Sequence, residues 1–356
     1  PKLAVQNKSL SLSQKRKKLS EQKMRKKRVT KENLKAISPS ETEIKSLLEH
    51  YQNGRYDDAE RLAKSITQQF PEHQFAWKVL GTLFRQSGRI SEAANAEQTA
   101  VALSPHDAQA HGNLGNTLRE LGRLEEAEAC YAKTITLKPD LVEAHYNLGN
   151  TLRELGRYDE AVASYMQAIA LKPDYAEAHS NLGSSLQRLG RLNEAEAHLR
   201  QAIALKPDYA EVHNNLGTTL QELGRLDEAE ASLRKSIALK PHYEEAHHNL
   251  GIRLEELGRF EEAEASYIRA IELKPDYAEA HNRLLMCLYL LDKQSLFFDK
   301  LDYLINEDTA NATIGSLTCR SALKYGVEKP NLFCREPLQY VLHIDMNTQY
   351  DFEEIF

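Results

Sequence analysis

The chain has few cysteines, few aromatic residues and no long apolar run, and each shortage removes a class of protein. Its four cysteines, Cys130, Cys287, Cys319 and Cys334, lie far apart with no C-x-x-C pair. That spacing argues against a disulfide framework or a zinc ribbon and fits reduced thiols in a cytoplasmic protein. No stretch of about 18 apolar residues is present, so no transmembrane helix is expected, and the basic N-terminus lacks the apolar run of a secretory signal. A Gly-rich phosphate loop, a Ser-His-Asp arrangement and a nucleophile elbow are also missing, so no catalytic residues, metal site or cofactor are expected in these residues.

What is present is helical in bias. Apolar residues make up 41% and charged residues 28% of the 356, and only 7% are aromatic, a globular balance. The charge is unevenly placed: residues 1–35 hold 13 Lys/Arg against 2 Asp/Glu, so a net charge of −6 hides a body of −17 behind a tail of +11. Residues 1–39 read as a basic, disordered or partly helical tail. The run Lys15 to Arg28 offers electrostatic contact with nucleic acid or an anionic surface, although it has no aromatic residue for base stacking.

Two markers then repeat every 34 residues. Leu-Gly occurs at Leu80-Gly81, Leu114-Gly115, Leu148-Gly149, Leu182-Gly183, Leu216-Gly217 and Leu250-Gly251. Proline occurs at Pro71, Pro105, Pro139, Pro173, Pro207, Pro241 and Pro275. Within Val142 to Tyr175 the apolar residues fall at helical spacing in two blocks parted by Gly156, which predicts a helix, a turn and a second helix per unit. Units start at 40, 74, 108, 142, 176, 210 and 244, with a degenerate one at 278, where Leu284-Leu285 replaces Leu-Gly. One such unit cannot bury its own apolar face, so stability must come from stacking on its neighbours.

Trp77, Leu80, Gly81 and Phe84, followed by Ala93 and Pro105, follow most of the signature W-x2-L-G-x2-Y…A-x3-F…P, and later units place His111, His145, His179, His213, His247 and His281 where the tryptophan stands. Over roughly residues 40–291 the chain therefore resembles the tetratricopeptide-repeat family. That resemblance implies an all-α, right-handed superhelical solenoid, a monomer whose first helices line a concave groove that takes a protein or peptide. The histidines recur one per repeat at spacings of about 10 Å, too far apart to share a zinc ion.

The residue before each Leu-Gly leucine is Asn113, Asn147, Asn181, Asn215 and Asn249. Asparagine is a mediocre helix former, but its amide both donates to a peptide C=O and accepts from its N–H. The ladder resembles one in the repeat arm of the enzyme that attaches N-acetylglucosamine to serine and threonine, which implies a grip on the backbone of an extended peptide. The competing reading is that asparagine is simply consensus here. Asn116, Asn150, Arg119, Arg153 and Tyr146 stand beside the ladder as further groove residues.

After Leu291 both markers stop, and residues 292–356 read as a non-repeat segment with helices near Ser295 to Asn306 and Ala312 to Tyr325. NLFCREPLQYV and QYDFEEIF resemble the junction that precedes an Fe(II)/2-oxoglutarate oxygenase domain in bacterial proteins. This implies a substrate-recruiting arm whose catalytic domain is truncated away at the apolar end Ile355-Phe356. His343-Ile344-Asp345 spells an H-x-D pair, but no later histidine completes an iron triad.

Overall fold

The computed structural model describes residues 38–306 and 312–327. The run Lys15 to Arg28, the stretches 331–341 and 349–356 and the His343/Asp345 pair lie outside the described residues. Among the described residues there are seventeen α-helices and no strand, an all-α helical solenoid. The chain falls into two compact units that divide after Leu171.

The first unit holds α1 (Glu41–Gln52), α2 (Tyr56–Gln69), α3 (Gln74–Gln86), α4 (Ile90–Leu103), α5 (Ala108–Glu120), α6 (Leu124–Leu137), α7 (Val142–Glu154) and α8 (Tyr158–Leu171). In the second are α9 (Ala176–Arg188), α10 (Leu192–Leu205), α11 (Ala210–Glu222), α12 (Leu226–Leu239), α13 (Glu244–Glu256), α14 (Phe260–Leu273), α15 (Ala278–Leu290), α16 (Gln294–Asn306) and α17 (Ala312–Tyr325). Within each unit every helix packs on the next, so odd and even helices are the first and second helices of successive repeats.

Close approach inside a repeat depends on the Leu-Gly glycine. A Cβ on Gly149 would stand 2.7 Å from the Tyr165 ring, and one on Gly183 would stand 2.7 Å from Leu199 Cγ. The partner is always sixteen residues on, fully buried on the second helix. Where Leu47 and Leu285 take the glycine's place, the helix pairs α1/α2 and α15/α16 pack over less of their length than the other repeats do. A side chain at the crossing holds the two axes apart.

The turn between the helices needs the second glycine. Gly156 has φ +76°, its N–H donates to Arg153 O at 3.0 Å, and the next N–H, of Arg157, donates to Leu152 O at 2.9 Å. This paired bonding closes the helix with one left-handed residue. At the same register Asp292 adopts φ +57°, and Gly326 follows 34 residues later with φ +67°. The markers end before Leu291, but the backbone period does not. Helix α16 is the second helix of the repeat that starts at 278, and α17 begins at 312, one further period on. Helices and left-handed turn residues thus recur at the same spacing past Leu291, with other residues at the marker positions. Phe297, Leu301 and Leu304 of α16 join Leu284, Leu285 and Leu288 of α15 and Ile314 and Leu317 of α17 in one buried cluster.

Candidate peptide-binding face

In each unit successive first helices touch one another: α3 with α5 and α5 with α7 in the first, α9 with α11, α11 with α13 and α13 with α15 in the second. No two successive second helices among the described residues pack as closely. First helices therefore line the inner side of each unit's bend, and second helices the outer side.

The outer side is stitched by charge. Five of the second helices, α4, α8, α12, α14 and α16, are preceded by a basic residue that reaches back to a glutamate of the preceding second helix. Arg157 reaches Glu128 at 2.6 Å, Arg225 reaches Glu196 at 2.6 Å, Arg259 reaches Glu230 at 2.9 Å and Lys293 reaches Glu264 at 2.5 Å. Arg89 does the same with Glu60 at 2.9 Å, and its hydrogen bond holds that carboxyl down to about 2. The glutamate-rich second helices thus serve as clasps between repeats. Among the described residues no three of His, Cys, Asp and Glu gather as a metal set. Burial pushes the Cys130 thiol up to about 11 and the Cys287 thiol up to about 12, far from a reactive thiolate.

On the inner side, Asn113, Asn147, Asn181, Asn215 and Asn249 all sit half-buried at the same place on their helices. Within the units, amide hydrogens of the ladder reach the repeat before. Asn147 Nδ2 donates to Asn116 Oδ1 at 3.1 Å, Asn215 Nδ2 to Ser184 Oγ at 3.0 Å and Asn249 Nδ2 to Asn214 Oδ1 at 3.0 Å. Asn113 has no such bond among the described residues, and Thr82, at the acceptor place, donates to Lys78 O of its own helix at 3.0 Å. Asn116 and Asn150 in turn accept from the hydroxyls of Tyr131 and Tyr165, at 2.7 and 2.8 Å. A hydrogen-bonded line therefore runs from second helix to first helix to the ladder. The acceptor roles of Ser184 and Asn214 carry no sequence signal, since one lies 31 and the other 35 residues before its donor.

At the last turn of the first helices a second row forms. Arg85 Nη1 lies 3.6 Å from Glu120 and Arg119 Nη1 3.5 Å from Glu154, while Gln187 and Gln221 donate to Glu222 and Glu256 at 2.6 Å each. Arg153 has no ion pair among the described residues. Tyr146 stands 6.0 Å, ring centre to ring centre, from Tyr165.

The class defined by these features is a helical-repeat scaffold. A model of the cilia and flagella-associated protein 70 C-terminal domain, a tetratricopeptide-repeat region, matches residues 105–296, more than half of the chain, and the tetratricopeptide-repeat model itself matches residues 46–108. The chain belongs to the tetratricopeptide-repeat family. No curated protein matches it in sequence. Among solved structures it is similar to a tetratricopeptide repeat protein from Parabacteroides merdae (18% identity, TM-score 0.54, covering 70% of this chain and 98% of that one). It is also similar to PilW, a widely conserved type IV pilus biogenesis factor (21% identity, TM-score 0.55, 59% and 97%). A third likeness is to the APC/C hetero-tetramer Cut9-Hcn1 (18% identity, TM-score 0.55, 68% and 48%). At these identities the likeness is one of fold. No helix of the described residues is long and apolar enough to cross a membrane.

Proposed function

We propose that the inner, first-helix faces hold an extended peptide or protein segment by its backbone, with the asparagine ladder as the grip, in a monomeric cytoplasmic scaffold. The observation that carries this reading is the fixed orientation of the asparagines. In Asn147 and Asn215 one amide hydrogen is committed to the repeat before, and the carbonyl oxygen has no hydrogen-bond partner among the described residues. A side chain already held in one rotamer loses little entropy when a peptide N–H donates to it. Successive first helices stand on the order of 8–10 Å apart, so one asparagine would meet about every third residue of an extended chain rising ~3.3 Å per residue. The polar neighbours Asn116, Asn150, Arg119 and Arg153 suit a polar segment better than an apolar helix.

A peptide array probed with the chain and with an Asn147→Ala/Asn181→Ala/Asn215→Ala variant tests this. Peptides captured by the former and lost by the latter, with circular dichroism still helical, support the grip. Equal capture by both reduces the ladder to a stitch between repeats.

A further inference from the structure

The outer side of the second unit has an open place that the chain fills itself one repeat earlier. A groove of about 390 Å³ lies among α10, α11 and α12, lined by Ile203 and Leu216 and by the polar side chains of Arg200, His213, Ser232 and Lys235. In the preceding repeat His179 stands at the His213 place and His198 at the Ser232 place. Their Nδ1 atoms are 3.1 Å apart and their ring centres 5.3 Å apart, so the rings meet edge to edge. His179 Nε2 donates to Pro173 O at 3.1 Å, which leaves its Nδ1 as the acceptor and makes His198 Nδ1 the donor. His213 Nε2 is spent in the same way, on Pro207 O at 3.1 Å, and its Nδ1 accepts from nothing among the described residues. Ser232 Oγ likewise has no partner among them, whereas Ser266, at the same place one repeat on, donates to Glu262 O at 2.9 Å.

We infer that this groove is a second binding site, separate from the ladder, and that it takes the indole of a partner protein's tryptophan, whose N–H donates to His213 Nδ1. His198 shows what the place accepts: a flat ring that brings an N–H edge-on to the histidine. Indole is the flat ring whose polar atom only donates, so it satisfies Nδ1 and leaves no acceptor of its own against Ile203 and Leu216. Lys235 is exposed and makes no ion pair among the described residues, so its ammonium is free to lie over the ring, and tryptophan is the best acceptor of such a contact. In the same unit Lys206 and Lys240 already stand 4.6 Å from the ring centres of Tyr209 and Tyr243. Arg200 is committed, to Glu196 at 2.8 Å and Glu228 at 3.0 Å, and forms a wall rather than an anion site. The ring does not come from a second copy of this chain, because the single tryptophan, Trp77, spends its N–H on Pro71 O.

The test titrates N-acetyltryptophanamide, its analogue methylated on the indole nitrogen, and free indole against the unaltered chain and against Ser232→His. Ser232→His supplies the plug that His198 supplies one repeat earlier, and circular dichroism confirms that the variant is folded. Histidine-ring ¹⁵N spectra read the His213 Nδ1 resonance, assigned by its loss in His213→Phe. The expected result is saturable binding of the capped tryptophan with a shift of that resonance, roughly fivefold weaker binding of the methylated analogue, and no binding to Ser232→His. Equal binding of the capped tryptophan and its methylated analogue would show that the N–H is not read, and would overturn the proposal. Binding to Ser232→His as to the unaltered chain would place the ligand elsewhere and overturn it too. If free indole binds and the capped tryptophan does not, the ligand is a small molecule and the partner's side chain is ruled out. No saturable binding of any of the three overturns the site itself.

Discussion

The imidazole Nε2 of His145 stands 2.8 Å from the carbonyl oxygen of Pro139, six residues back, and the indole nitrogen of Trp77 makes the same contact with Pro71 at 2.7 Å. His111, His179, His213, His247 and His281 repeat it at 2.7–3.1 Å. A carbonyl only accepts, so Nε2 carries the proton in each. Histidine replaces the signature tryptophan because both are flat rings with an N–H donor at the tip.

That substitution brings a pH dependence. Burial pulls the pKa values of His247 and His281 below the usual histidine value. A depressed folded-state value means stability that is present above the unfolded value, near 6.5, and lost as pH falls through the folded one. His281→Trp keeps the donor and removes the titration. Its melting temperature is expected to fall less than the parent's between pH 7.5 and 5. Parallel curves for the two would show that His281 does not contribute.

The two kinds of glycine fail differently. Gly149→Ala drives a methyl to 2.7 Å from the Tyr165 ring and is expected to cost about 1–3 kcal/mol by overpacking. Gly156→Ala meets open space but keeps φ +76°, and should cost about 1 kcal/mol through backbone strain alone. The compensating change Tyr165→Ala should relieve part of the first loss and none of the second in urea denaturation. Equal rescue of both would sink the distinction.

The repeated core was legible because Leu-Gly, the turn glycine and proline each have one mechanical reason to recur. Less legible was what happens where a marker is replaced. Asp292 holds the turn glycine's left-handed angle, and Leu285 fills the crossing, so the register runs on to Gly326 without a sequence marker. The ladder was visible as a column of asparagines. Its use as a stitch was not, because acceptors 31 or 35 residues away depend on how one repeat rises over the next. Glu97 is the plainest miss. It occupies the place of Tyr131, Tyr165 and Leu199 against the preceding glycine, and in sequence it reads as one more solvated glutamate.

Glu97 is 1% exposed, and neither of its carboxyl oxygens has a hydrogen-bond partner among the described residues. Burial raises its pKa, with Thr117 and Arg85 opposing and Glu120 adding to the rise. A raised folded-state value gives stability that is full below the unfolded value and is lost as pH rises through the folded one, the reverse of the histidines. Glu97→Leu places in this repeat the side chain found at Leu199 and Leu233. It is expected to stabilise the protein by about 1–3 kcal/mol, more at pH 8 than at pH 5. A gain that is the same at both pH values would refute ionisation as its source.

Asp292 offers the sharpest test of the extended register. Its φ of +57° costs an ordinary residue about 1 kcal/mol, and asparagine, aspartate and glycine less. The Lys324 Nζ hydrogen bond, with an ion pair of 3.1 Å, holds its carboxyl below the usual range, but at 70% exposure of the aspartate side chain that pair is worth little. Lys324 also donates to Tyr289 O at 2.7 Å, which keeps α17 tied to α15 when the aspartate is removed. The expected order of urea midpoints is therefore Asp292→Gly highest, Asp292→Asn close behind and Asp292→Ala lowest, with glycine and alanine about 1 kcal/mol apart. An alanine variant as stable as glycine would mean that the turn does not need the left-handed residue and that the eighth repeat is closed in some other way.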